Sequence, residues 1–313
     1  MYMINPNYSL ILKSNNELLY CRKNKYSKIK VEDNEITLIN NILDNELFEF
    51  QESKIFKELL KKRIIVKCEY MQQNRNTKSY LETFIDSKVN MNLLEKKKVL
   101  IIGLGGIGCE IINHLVGNGI KNFIILDFDK VDLSNLNRQY LYDFNDVSKN
   151  KTEIITEKML QKNPNVYIKH YQKYISNSDE IVKMIQEEKP NILICAADTP
   201  FIDLRINVLK ACIKTNTPCI FGGVSVFSGQ YGPTFIAKIK MKTYLKKLER
   251  VKSYVINSNV TKASFGPTNS IISAYMSLDI FMLLLGKKQY ISSLNKVKEI
   301  DFIKRSEYET EKF

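Results

Sequence analysis

Tryptophan is absent from this 313-residue chain, histidine occurs twice, and arginine supplies only 7 of the 47 basic side chains. The formal charge of +13 therefore comes from lysines scattered along the sequence. Arginine makes most bidentate phosphate and base contacts, so this charge argues against a protein that reads nucleic acid. It fits attraction for an acidic peptide or for nucleotide phosphates better. None of the six cysteines (Cys21, Cys68, Cys109, Cys195, Cys212, Cys219) stands in a Cys-x-x-Cys pair. That spacing speaks against a disulfide framework and against structural zinc, and the cysteines read as reduced, mostly buried thiols. His114 and His170 have no neighbouring metal set in sequence and read as structural. No apolar run reaches the roughly 18–20 residues of a membrane helix. The longest, 274–285, carries Asp279 and reads as a buried helix. The first residues, MYMINPNYSL, lack a basic stretch followed by an apolar core, so no signal peptide is expected. These absences predict a soluble, cytoplasmic protein with neither a membrane nor a nucleic acid as partner.

What is present is an ordinary globular composition, 44% apolar and 26% charged, of a length that favours about two domains. Residues 1–70 read as a small α+β module: alternating runs at 8–12 and 17–21 around a Lys-Ser-Asn-Asn turn, a third strand at 27–31, helical patterns at 35–43 and 52–62, and a last strand at 64–66. This order resembles a winged helix. A polar stretch, 71–97, reads as a linker with a short helix. From 98 to 313 the pattern changes to short apolar runs at 98–103, 123–128, 166–171, 192–196 and 218–222, alternating with helical stretches. That alternation predicts an α/β domain with a Rossmann-like, mostly parallel sheet.

The first βα unit carries Gly103-Leu-Gly105-Gly106-Ile-Gly108. Gly103 permits the tight turn, Gly105 lets backbone approach a phosphate, and Gly108 lets the helix pack on the strand, leaving free N–H groups for an anion. The next apolar run ends at Asp127, the usual place for a carboxylate on ribose hydroxyls. So far, a dinucleotide-dependent dehydrogenase is as well supported as any other nucleotide enzyme. The following residues separate the two. Asp127-Phe-Asp129 leads into Ser134-Asn135-Leu-Asn-Arg138-Gln139, Lys151 follows 13 residues after Arg138, and the run at 192–196 is followed by Asp198-Thr199. Hydride transfer has no use for an arginine and a lysine converging on phosphates, whereas adenylation must stabilise charge while a carboxylate attacks the α-phosphate. Asp198, at the carboxyl end of a predicted parallel strand, suits a magnesium ion facing those phosphates.

In this order the motifs resemble the ThiF/MoeB/HesA family, bacterial relatives of ubiquitin-activating enzymes, over about residues 78–300. The resemblance implies an ATP-dependent adenylyltransferase. In it Gly106 and Asp127 contact adenosine, Ser134, Asn135 and Arg138 bind ribose or phosphates, Lys151 binds phosphates, and Asp198 holds magnesium. Gly103, Gly105, Gly108, Asp129, Gln139 and Thr199 complete the implied nucleotide-binding set, with Arg138, Lys151 and Asp198 as its catalytic members. The stretches Asp146-Val-Ser-Lys-Asn-Lys-Thr, Ala197-Asp198-Thr-Pro-Phe and Ala263-Ser-Phe-Gly-Pro-Thr-Asn are similar to the MccB type within that family. That type adenylates a short ribosomally made precursor peptide of the microcin class, carries an N-terminal peptide-recognition module, and works as a homodimer.

Two departures from the family pattern stand out. The regions that carry Cys-x-x-Cys zinc pairs in the family, here around 236–245 and 305–311, contain no cysteine. Where the family places an arginine that reaches the partner subunit's phosphates, the nearest match is Lys78. Cys195 and Cys219 lie on apolar runs and read as core thiols, so no thioester step is expected. Two other readings remain: activation of a sulfur-carrier protein, against which the extra module and missing zinc pairs argue, and a non-catalytic leader-peptide-binding partner, against which Arg138, Lys151 and Asp198 argue.

Overall fold

The computed structural model describes residues 1–22, 24–67, 74–255 and 263–313. The chain divides into two compact units, Met1–Val89 and Asn90–Phe313. Cys68 and the other residues of 68–73 lie outside the described residues.

In the first unit, β2 (Ser9–Leu12), β3 (Glu17–Arg22) and β4 (Lys25–Lys30) form an antiparallel meander in that order, preceded by β1 (Tyr2–Ile4). Helices α1 (Ile36–Asp44) and α2 (Lys54–Lys61) follow, then β5 (Ile65–Lys67), which pairs antiparallel with β1. Ser53 caps α2 by accepting the Phe56 N–H, and the helix buries Ile55, Phe56 and Leu59, the residues at helical spacing. These side chains join Leu18, Ile29, Ile39 and Ile42 in a separate small core. Sequence patterning misses β1, whose three residues are too few to carry a period. The polar stretch after β5 contains a full three-turn helix, α3 (Arg75–Ile85).

The second unit opens with α4 (Met91–Glu95) and is built on an eight-stranded mixed sheet. Its parallel part comprises β6 (Lys98–Ile102), β7 (Asn122–Asp127), β8 (Tyr167–Gln172), β9 (Ile192–Cys195) and β10 (Cys219–Val224). Helices α5 (Gly106–Gly117), α6 (Lys151–Lys162), α7 (Ser178–Glu188) and α8 (Phe201–Thr215) make the crossovers. The order β10-β9-β6-β7-β8 means that the chain moves outward from β6 to β8 and then returns to the other side of β6. That reversal leaves a crevice beyond the carboxyl ends of β6 and β9, the usual ligand site of such sheets. β9 is buried throughout and β6 from Val99 onward, as strands covered on both faces must be. Strand ends differ by a residue or two from those read off the sequence, within the usual fraying of element boundaries.

The sheet continues antiparallel through β11 (Ser228–Phe235), β12 (Lys296–Asp301) and β13 (Ser306–Lys312), with α9 (Lys238–Tyr254) and α10 (Gly266–Leu284) between β11 and β12. The polar strands β12 and β13 escape apolar patterning because their pairing is carried by charge: Lys296 to Glu309 at 2.9 Å and Lys298 to Glu307 at 3.1 Å. Helix α10 contains most of the apolar run expected to be buried, but only one side of it is: Met276, Ile280, Phe281 and Met282 are buried, whereas Tyr275 and Leu278 are exposed. Its Asp279 accepts bonds from the Ser292 and Ser293 N–H groups at 2.8 and 2.9 Å and from the Ser293 hydroxyl at 2.5 Å. None of the described helices is long and apolar enough to cross a membrane.

Candidate active site

At the carboxyl end of β6 the chain turns through Gly103 with φ +94°, a conformation that a side chain resists, and a Cβ there would lie 2.6 Å from that of Ala197. Gly108, in the first turn of α5, has no room either: its Cβ would come within 1.9 Å of the Gly103 carbonyl oxygen. Gly105 differs. The nearest atom to the place of its missing Cβ is the Gln139 Nε2, 3.9 Å away. The loop is locked to β7 by two bonds, from the Gly103 N–H to the Leu126 carbonyl at 2.8 Å and from the Leu104 N–H to Asp127 Oδ2 at 2.6 Å. Asp127 Oδ1 accepts from the Asp129 N–H at 2.8 Å. Burial pushes the Asp127 carboxyl above its ordinary range, and the Lys151 ammonium offsets part of that.

Lys151 is brought to this place by the backbone. After Asp129 the chain pairs with the stretch before α6, with bonds from the Val131 N–H to the Lys149 carbonyl and from the Ser148 N–H to the Val131 carbonyl, both 2.8 Å. The Lys151 Nζ then lies 3.1 Å from Asp129 Oδ2, on a side chain only 5% exposed. Between these two segments, Asp132 and Asn135 cap a short 3-10 turn reciprocally. The Ser134 hydroxyl and N–H both bond to the Asp132 carboxylate, and those bonds hold it below the ordinary range. The Arg138 guanidinium donates to the Ser134 carbonyl at 2.8 Å and to Asn137 Oδ1 at 3.0 Å, and the remaining donors of its fork are uncommitted among the described residues. Gln139 is buried, and its Oε1 has no hydrogen-bond partner among the described residues. At the end of β9, Asp198 is exposed and accepts from the Thr199 hydroxyl at 3.3 Å.

A cavity of about 1250 Å³ lies over these strand ends. Gly103, Gly105, Gly106, Asp127, Asp129, Ser134, Asn135, Arg138, Gln139, Lys151, Asp198 and Thr199 all line it. Gly108 does not; it sits behind the loop as a packing glycine. The cavity's further lining includes groups that the sequence reading did not assign. Asn269 closes against Gly106, where a Cβ would meet its Oδ1 at 2.5 Å, and Ser264 lies beside it. Their signal was the Ala263–Asn269 stretch, already singled out for its likeness to the MccB type. Lys173 and Tyr174, beyond β8, and Gly222–Val224 of β10 carried no such signal. Lys78 lies on α3 of the first unit.

Cys109, Cys195, Cys212 and Cys219 are buried free thiols, and burial pushes Cys195 up to about 11. Cys195 is absent from the cavity wall. Among the described residues no three His, Cys, Asp or Glu side chains are grouped as a metal site. The cavity wall carries four cations, Lys130, Arg138, Lys151 and Lys173, together with exposed carboxylates, Asp129 and Asp198 among them, and the N-terminus of α5, an end that favours anions.

The fold is shared with solved structures across nearly the whole chain. The structure described as E. coli MccB with ATP has a TM-score of 0.69 and 23% identity, over 99% of this chain and 96% of that one. Microcin C7 biosynthetic enzyme MccB in complex with N-formylated MccA gives 0.68 and 22%, with the same coverage. Among curated sequences, SUMO-activating enzyme subunit 2 of Dictyostelium discoideum is 32% identical over 133 residues, 42% of this chain. The match spans only 20% of that protein's length. The sequence model of the ThiF family matches residues 77–312, and with the glycine loop, the Arg138–Gln139 turn, Lys151 and Asp198 gathered on one cavity, the chain belongs to the ThiF family.

Proposed function

We propose that this chain transfers the adenylyl group of ATP to the carboxyl end of a short, ribosomally made precursor peptide. The observation that carries this reading is the convergence of Arg138, Lys151 and Asp198 with the Gly105–Gly106 loop on one cavity. The cavity fits a nucleotide. Its wall at Gly105 is open where a Cβ would stand, and the buried Gln139 Oε1 awaits a partner. A peptide carboxylate oxygen bonds to the α-phosphorus, the bond to the bridging oxygen breaks, pyrophosphate leaves with that electron pair, and a mixed anhydride remains.

Each residue has a part in that reaction. Lys151 is buried on one carboxylate and exchanges part of that pairing for phosphate oxygens as charge builds up. Arg138 offers a planar fork to two phosphate oxygens. Asp198 would hold magnesium, an ion that commonly takes one or two carboxylates and completes its shell with phosphates and water. Magnesium supplies charge neutralisation across the phosphates.

The first unit serves as the peptide recogniser in this reading, a winged-helix module whose edge strand β4 accepts the leader as an added strand. The enzyme acts as a homodimer, with Lys78 serving the partner's site. The MccB complex with N-formylated MccA supports a peptide as the partner class. Release of pyrophosphate from ATP and magnesium, followed with candidate precursor peptides, tests the proposal. Peptide-dependent release is expected. Release with a carrier protein but with no short peptide would overturn it.

A further inference from the structure

The peptide unit between Leu104 and Gly105 is held from behind. The Leu104 carbonyl accepts two bonds, from the Tyr142 hydroxyl at 3.1 Å and from the Cys109 thiol at 3.1 Å. Both donors are buried, and both belong to elements under the loop: Cys109 in the first turn of α5 and Tyr142 just past Gln139. Burial holds the Tyr142 phenol well above its ordinary range and pushes the Cys109 thiol up to about 12. Both groups therefore remain protonated donors across physiological pH.

In a trans peptide the carbonyl and the following N–H point in opposite directions within one plane. Pinning the Leu104 oxygen inward therefore turns the Gly105 N–H outward, toward the cavity that Gly105 lines. This N–H has no acceptor among the described residues. Beside it stands Gln139, a residue 2% exposed whose Oε1 also has no partner among the described residues. The preceding N–H, that of Leu104, is already spent on Asp127. One donor of the loop is thus aimed at the cavity while its neighbour is tied to the strand.

We propose that the Tyr142 hydroxyl, with the Cys109 thiol beside it, is a positioning group that aims the Gly105 N–H at a phosphate oxygen of the bound nucleotide. The inference rests on the reading of this cavity as an ATP site and adds a residue that the glycine motif does not contain. Tyr142 does not line the cavity and acts only through the Leu104 carbonyl.

The test is equilibrium binding of ATP, AMP and adenosine to the full chain and to Tyr142→Phe, with thermal melting recorded for each protein. Tyr142→Phe keeps the ring and removes one hydrogen bond. It is expected to weaken ATP and AMP about fivefold, the fold-change of one such bond, and to leave adenosine unchanged. In the reaction the same change should raise the KM for ATP and leave kcat in place, because the phosphate contact exists in both ground and transition states. Cys109→Ala should show the same phosphate-selective loss, and Cys109→Ser, which keeps a donor, should restore affinity. Equal weakening of adenosine and ATP, or a lowered melting temperature with unchanged ATP binding, would overturn the proposal and leave Tyr142 a packing residue. Failure of the wild-type chain to bind any of the three would instead remove the ATP reading, and this inference with it.

Discussion

The Lys151 Nζ lies 3.1 Å from Asp129 Oδ2, with the lysine side chain 5% exposed and the aspartate 47% exposed. A buried ammonium is therefore compensated by a carboxylate that itself faces the cavity and solvent. An arriving phosphate can take up the pairing without leaving the lysine uncompensated at any stage. An unpaired charge at that depth would be strongly disfavoured. On the proposed reading, Lys151 is a cation held ready by a neighbour that can yield.

Replacing the cations should stop the chemistry. Lys151→Ala and Arg138→Ala are expected to lower adenylation at least a hundredfold, about 2.7 kcal/mol or more of transition-state stabilisation. Arg138 is half-buried and, among the described residues, bonded only within its own turn, so its replacement should leave the melting temperature close to wild type. Turnover near wild type in both variants, measured as peptide-dependent pyrophosphate release, would show that the phosphates lie elsewhere.

The glycine loop separates space for the fold from space for a ligand. Gly105 has φ −80°, and its missing Cβ points to a place 3.9 Å from the nearest atom, so Gly105→Ala should fold with unchanged or slightly raised stability. Its ATP affinity should nevertheless drop by an order of magnitude or more. Gly108→Ala would drive a Cβ to within 1.9 Å of the Gly103 carbonyl and should cost about 3 kcal/mol of stability. Urea unfolding and nucleotide titration of the two variants give opposite signatures if each glycine has the role assigned to it.

Much of this loop was legible in advance, because turn glycines, a strand-end carboxylate and apolar strands leave local signatures. The parallel strands β6, β7 and β9 showed as apolar runs for the same reason. What sequence could not show was pairing carried by side chains distant in the chain. β12 and β13 gave no apolar run to read, because charged side chains, Lys296 with Glu309 and Lys298 with Glu307, occupy the hairpin. Asn269 reaches Gly106 across more than 160 residues, and Tyr142 looks like any apolar residue until the Leu104 carbonyl is seen beneath its hydroxyl.

Acid should loosen the sheet through Glu188. Its carboxylate bonds to Lys169 of β8 and, at 3.4 Å, to Lys98 of β6. The Lys169 ammonium is the chief cause that holds the Glu188 carboxyl below its ordinary range, with burial opposing. A carboxylate whose folded-state pKa is depressed contributes stability that is present above the unfolded value and is lost as pH falls through the folded one. Unfolding measured from about pH 6 down to about pH 3 should therefore show wild type losing stability more steeply than Glu188→Gln. Parallel curves for the two proteins would remove Glu188 from the acid limb.

Peptide recognition by the first unit has a local test. Lys30 is exposed on β4, at the edge of the β2-β3-β4 meander. Lys30→Glu should raise the KM for an acidic or neutral precursor peptide several-fold while leaving ATP affinity unchanged. An unchanged peptide KM, with Lys25→Glu equally silent, would take the leader away from this edge.

The central claim is that a peptide carboxylate attacks the α-phosphorus of ATP. A precursor peptide labelled with oxygen-18 in its terminal carboxylate, incubated with the enzyme, ATP and magnesium, tests this at the atom concerned. The account predicts one heavy oxygen in the phosphoryl group of the AMP moiety, together with pyrophosphate as the other product. Label in inorganic phosphate with ADP as co-product, or AMP without label, would contradict it.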